Sequence, residues 1–149
     1  MAWIYPETLG EGNIGRIFDK STGSSAQNGY YFATYTNNAL VVRINGGTIL
    51  LSANNTITLN KRQMVAATFD STGRKLYVNC VDVTLSGGTE TALPPNVAGV
   101  VTAGNISGGT TATFDGYEDK FAMFTRVLSL AEIKDIYNRN CSHYGLPKI

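Results

Sequence analysis

Residues 114–138, FDGYEDKFAMFTRVLSLAEIKDIYN, leave few folds open, because they set one fully specified helix directly behind a strand. Over 117–124 the residues alternate, so Tyr117, Asp119, Phe121 and Met123 share one pleat face. Glu118, Lys120, Ala122 and Phe124 take the other. Ser129 and Glu132 then form an S-x-x-E capping box, with Leu128 and Ile133 at the two hydrophobic-staple positions. Leu130, Ile133, Ile136 and Tyr137 make an apolar stripe at helical spacing. No second helix of this kind occurs, so the spacing predicts one short C-terminal helix that plugs an end of a sheet structure.

The rest of the chain reads as short strands punctuated by turns. Candidates are 2–5, ended by Pro6, then 14–20, 29–36, 39–45, 48–52 and 56–59. In 29–36, Tyr31, Ala33 and Tyr35 oppose Tyr30, Phe32 and Thr34. Asn37-Asn38 and Asn45-Gly46-Gly47 are tight turns, since Asn and Gly tolerate left-handed backbone angles. Residues 63–70 and 74–80 form the clearest hairpin, joined by Ser71-Thr72-Gly73, and 81–85 continue it or restart after a bend. Residues 21–28 and 86–96 read as loops, and 97–105 as a weaker strand. Some ten to twelve short strands in 149 residues predict a single domain over 1–149, all-β, an antiparallel two-sheet β-sandwich.

Charge and hydropathy exclude several partners. Twelve basic residues against 11 acidic ones leave a formal charge of +1 with no basic run, so electrostatic capture of nucleic acid or anionic membrane has no support. No apolar run approaches the roughly 20 residues that span a bilayer, and no signal-peptide pattern is visible. The two cysteines, Cys80 and Cys141, either bridge in an oxidising compartment or stay as buried thiols. Asn54, Asn105 and Asn140 each begin an N-x-S/T sequon, which matters only under eukaryotic secretion.

Three blocks of this sequence resemble laminin-G-like domains of the concanavalin A-like jelly-roll superfamily, in the variety common in bacterial, archaeal and phage surface proteins. The first comprises Phe114, Gly116, Asp119, Phe121, Met123, Phe124, Arg126, Leu128, Ser129, Glu132, Ile133, Ile136 and Tyr137. The second is Val65-Ala66-Ala67-Thr68-Phe69-Asp70 with Leu76-Tyr77-Val78-Asn79, similar to the family's paired strands. The third, Ala2-Trp3-Ile4-Tyr5-Pro6, is similar to its Trp-containing strand. The resemblance implies a jelly roll with one short helix, at a cell or virion surface. It also implies strands ahead of the Trp3 strand, one of them pairing with 117–124. Here the chain starts at Met1, which implies an exposed sheet edge: a fragment, a variant with another cover, or pairing with a neighbouring subunit.

The superfamily includes β-glucanases, whose retaining chemistry needs two carboxylates about 5–5.5 Å apart on one face. Neither E-x-D-x-E nor E-x-D-x-x-E occurs, Glu118 and Asp119 are adjacent on opposite faces, and His143 stands in the tail beside Cys141. Catalysis is therefore not expected. Asp119, placed toward the core by its pattern, must be paired, either as a structural acceptor for main-chain N–H groups or Arg126, or as a calcium ligand with Asp115 and Asn105. Arg126, Ser129 and Glu132 are structural candidates at the helix start.

For glycan binding, Tyr30, Tyr31 and Tyr35 with Asn37 and Asn38 supply aromatic faces and amides at one hairpin, with Asn54 and Asn55 on a neighbouring loop. Half of those tyrosines should face the core, and Asn-Asn is also ordinary turn chemistry. Trp3 reads as core packing. The expected function is a non-catalytic recognition or adhesion module that binds glycan or protein in a surface assembly, with no resident cofactor unless calcium binds. The alternative is a phage or virus structural subunit, a capsid decoration or tail-associated protein, that packs against its neighbours.

Overall fold

The computed structural model describes residues 1–22, 28–71, 73–87 and 99–149. Among the described residues eleven strands run in chain order: β1 (Ala2–Pro6), β2 (Arg16–Thr22), β3 (Asn28–Tyr35), β4 (Ala39–Ile44), β5 (Leu50–Ser52), β6 (Gln63–Asp70), β7 (Gly73–Val78), β8 (Val81–Asp82), β9 (Thr84–Gly87), β10 (Thr102–Ala103) and β11 (Gly116–Asp119). Helix α1 (Leu130–Asn140) follows. The expected loops at 21–28 and 86–96, the residue Thr72 and the start of the 97–105 pattern lie wholly or partly outside the described residues.

All strand pairs are antiparallel. One sheet has the order β11-β1-β6-β7-β8, the other β10-β2-β3-β4-β5-β9. The chain switches sheets between β8 and β9 across Val83, whose side chain packs on the shared core. Between the sheets lie Ile4, Ile17, Phe18, Phe32, Leu40, Val42, Ile44, Leu50, Val65, Leu76 and Val78, contributed by both inner faces. The result is a face-packed sandwich of the expected class.

The helix does not plug an end. It lies across the outer face of the five-stranded sheet, where Ile133, Tyr137 and Cys141 pack on Trp3, Met64, Ala66 and Tyr77. Its buried stripe is therefore the i, i+4, i+8 row. Leu130, expected on that stripe, is 43% exposed, because it sits one turn before the sheet-facing row begins. Ser129 accepts from the Glu132 N–H and Glu132 reaches back to the Ser129 N–H, so both halves of the capping box form. The staple pair Leu128 and Ile133 is buried.

Two further expectations fail for local reasons. Residues 56–59 form no strand: Gln63 donates to the Thr58 carbonyl at 2.7 Å and accepts from its N–H, so a side-chain amide takes the place of a strand partner. The strand at 117–124 ends at Asp119. Lys120 takes a positive φ of 51°, and Met1 then exchanges two main-chain bonds with Ala122 (2.8 and 2.9 Å). Since Trp3 pairs with Asp119, two steps along β1 match three on the other strand, which is a bulge.

Candidate functional site

The bulge decides what the C-terminal ribbon presents. Before it, Asp119 lies opposite Trp3 on the helix side of the sheet and Glu118 lies opposite Ile4 on the core side. After it, Phe121 is on the core side, with its ring 5.3 Å from that of Phe18 on the opposing sheet. Asp119 thus does not share the core with Phe121, contrary to the alternation reading. It accepts a 2.6 Å hydrogen bond from the Tyr144 hydroxyl and another from the Lys120 main-chain N–H, not one from Arg126. The Tyr144 bond holds its pKa below the usual carboxylate value, while burial and the same bond push Tyr144 up to about 12. The Tyr144 ring in turn lies 4.5 Å from Trp3, so the pair pins the tail to the sheet.

Glu118 is the carboxylate that faces inward. Burial pushes its pKa up to about 8, and its Oε1 has no protein partner. Arg126 instead forms a bidentate pair with Glu132, at 2.6 and 3.0 Å. That pair and the Ser129 bonds hold the Glu132 carboxyl down at about 2.

The expected calcium set is not assembled. Asp115 accepts from the Thr8 hydroxyl at 2.7 Å, and Asn105 accepts from the N–H of Ile106 at 2.7 Å. Asp115 and Asp119 are four residues apart in an extended segment, roughly 13 Å at 3.3 Å per residue, too far to share one ion. Among the described residues no group of three His, Cys, Asp or Glu side chains converges on one point. Cys80 and Cys141 are both buried and unbridged; burial raises the Cys80 thiol to about 11. The Cys141 thiol donates to the Asn138 carbonyl, while His143 points outward against the edge of the Tyr144 ring.

The asparagine loops do come together. The Asn55 N–H donates to the Asn37 carbonyl and the Ile57 N–H to the Asn38 carbonyl, both at 2.8 Å. Asn38 also reaches the Asn55 side chain at 3.5 Å. Asn37, Asn54 and Asn55 are exposed, and Asn38 and Tyr35 half-buried, so these five residues occupy one rim of the six-stranded sheet. Asn37, Asn38 and Asn55 all have positive φ, so turn geometry alone accounts for their residue type. The other two tyrosines are not platforms. Tyr30 faces the core beside Phe18, and Tyr31 is covered by the Arg16 guanidinium 3.3 Å from its ring.

Arg16 and Asp19 form a buried ion pair at 3.3 Å that strand alternation forbids, since i and i+3 point to opposite faces. A register shift between Arg16 and Phe18 brings both outward and sends Ile17 and Phe18 together into the core. Nothing in the local sequence marks that bulge. The sequence also gives no sign of a cavity of about 400 Å³ beside β6, lined by Ala66 to Asp70, by Phe18, Phe32 and Ile44 of the other sheet, and by 121–128.

Two antiparallel sheets in this order, with one helix laid on the outside, define a concanavalin A-like jelly roll. A laminin-G family model, described as the concanavalin A-like lectin/glucanases superfamily, matches residues 1–134, and the chain belongs to that family. Such domains often bind carbohydrate or protein and are usually extracellular or surface-associated, and some members of the superfamily are glucanases. Searches of curated proteins and of solved structures find no match. No helix among the described residues is long and apolar enough to cross a membrane.

Proposed function

We propose that this chain acts as a single, non-catalytic recognition module of a surface-exposed assembly, and that it engages glycan or protein at the Tyr35, Asn37, Asn38, Asn54 and Asn55 rim. The observation that carries the reading is the main-chain zipper between the two asparagine loops. It holds the backbones of the two loops side by side before any ligand arrives, which lowers the ordering cost of binding at the residues they carry. The separation of Glu118 and Asp119 onto opposite faces argues against glycosidase chemistry, which needs two carboxylates on one side of the sugar. Retention on immobilised polysaccharide, lost in Tyr35→Ala combined with Asn38→Ala, is the expected result. Retention unchanged in that variant overturns the rim assignment, and hydrolysis of a β-glucan by pure protein overturns the non-catalytic reading.

A second reading is a structural subunit, including one of a virion. Two observations favour it: β11 is the last strand of its sheet, and 121–127 exposes Phe121, Met123, Phe124 and Val127 in one strip. Rings or trimers by light scattering, with no glycan retained, would select it.

A further inference from the structure

Among the described residues, α1 and the tail behind it cover the outer face of the five-stranded sheet as far as the Trp3 row. There Met64, Trp3 and Asp119 stand opposite one another on β6, β1 and β11, and the Tyr144 ring closes over Trp3 at 4.5 Å. The next outward row belongs to Tyr5, since side chains alternate along β1. Tyr117 is its partner on β11, and the two rings meet edge to face at 5.9 Å. On the other flank Arg62, the residue before β6, holds its guanidinium 5.7 Å from the Tyr5 ring and 5.1 Å from the Tyr144 ring. Tyr117, Tyr5 and Arg62 therefore form one line across the sheet, with Tyr117 61% exposed and the other two half-buried.

Each part of that line suits a flat ligand with one negative charge. Two tyrosine rings at 64° to each other give a platform that is apolar on its faces and wet at its hydroxyls. The Arg62 guanidinium lies between two rings, which holds its planar fork in place. Its buried Nη1 has no hydrogen-bond acceptor among the described residues. Asp119 does not fill that role, because it accepts from the Tyr144 hydroxyl and the Lys120 main-chain N–H. Those bonds and the charges of Lys120 and Arg62 all favour its ionised form, so two cations attend one carboxylate and positive charge is in excess. At about 4.8 Å per strand interval the line runs roughly 10 Å, room for more than one sugar ring.

We propose that the Tyr117–Tyr5–Arg62 row is a second binding site, for an acidic glycan: a sugar carboxylate takes the Arg62 fork, and the saccharide lies along Tyr5 and Tyr117. A guanidinium fork matches a carboxylate in shape and charge and adds little for a neutral sugar. A carboxylated sugar also carries its apolar ring face and its charge on one residue, as the row places its platform and its anion receptor side by side. The row lies on the outer face of the five-stranded sheet and the asparagine rim on the six-stranded one, so either can fail without the other.

The test uses the full chain and oligosaccharides carrying galacturonate, glucuronate or sialate, each also as its methyl ester, which keeps the ring and removes the charge. Calorimetry should show saturable binding of at least one acid, weakened at least about tenfold by esterification, the worth of a charge-assisted hydrogen bond. Arg62→Gln should bind acid and ester alike, and Arg62→Lys, which keeps the charge without the fork, should fall between it and the wild type. Tyr117→Ala should weaken both forms, while Tyr35→Ala combined with Asn38→Ala should change neither. Absence of binding to every acid, or equal affinity of the wild type for acid and ester, overturns the proposal whatever the variants do. Acid binding lost in the rim variant but kept in Arg62→Gln assigns the ligand to the rim and overturns this site. Equal competition by an acetylated peptide with a free C-terminal carboxylate overturns the sugar assignment.

Discussion

The helix-covered face of the five-stranded sheet and the cavity beside β6 are built from similar residues and end in opposite conditions. On the covered face, Trp3, Met64, Ala66, Ile133 and Tyr137 are buried, and two polar pairs border it, Ser129 with Glu132 and Tyr144 with Asp119. At the cavity, Phe121, Met123, Phe124 and Val127 are 39–47% exposed. Hydrophobicity does not separate the two. The difference is what covers them: α1 lies across the first, while 121–127 runs along the cavity beside β6 with its side chains open. Burial is a property of topology before it is a property of residue type.

The sharpest way to break this contrast is to truncate one residue in each region. Ile133→Ala removes a fully buried anchor of the covered face and should cost about 3 kcal/mol. Phe124→Ala in the open region should cost less than about 1 kcal/mol despite removing a larger side chain. Urea unfolding of the two variants decides it, and equal costs would mean the regions are packed alike.

Glu118, which faces the core near the β11 edge, gives the next largest effect. Its folded pKa of about 8 lies above the unfolded value near 4.5, so the native state binds the extra proton between them. Stability should therefore fall as pH rises from about 4.5 to about 8. Glu118→Gln should flatten that fall and raise the melting temperature at pH 8 by on the order of 5 °C. A wild-type profile that rises across this window would show that Glu118 is ionised and compensated.

Smaller effects come from the polar closures. Ser129→Ala removes the N-cap and should cost about 1 kcal/mol. Tyr144→Phe and Asp119→Asn should each cost about 1 kcal/mol, with the double variant little worse than either single, because they share one bond. The smallest effect concerns the thiols: unfolding in alkylating reagent should label both Cys80 and Cys141, and a reductant should leave the melting temperature unchanged.

How much of this was legible in the sequence follows from which features are local. The sandwich class, the hairpin of β6 and β7, and the helix with its cap and staple are written in alternation, turn residues and S-x-x-E spacing, all within a few positions. Gly116 belongs to the same set: at φ 134° a side chain there would collide with the Tyr5 carbonyl. The asparagine rim was also visible as residues, though its zipper was not. What failed were face assignments downstream of a bulge. Lys120 and the shift near Ile17 each move one residue out of register, and period-two reasoning then assigns Asp119 and Phe121 to one face and separates Arg16 from Asp19. The cavity beside β6 has no local signal because it arises from which elements are neighbours, a long-range fact.

Residue-resolved hydrogen exchange along β6 in the free protein tests the central claim most directly. Gln63 to Val65, flanked on both sides, should all be protected. From Ala66 onward protection should alternate, with Ala66 and Thr68 slow through their bonds to β7, and Ala67 and Phe69 fast because their amides face the cavity. Uniformly slow exchange from Gln63 through Phe69 would place a hydrogen-bonding partner on the cavity side of β6 and contradict the account.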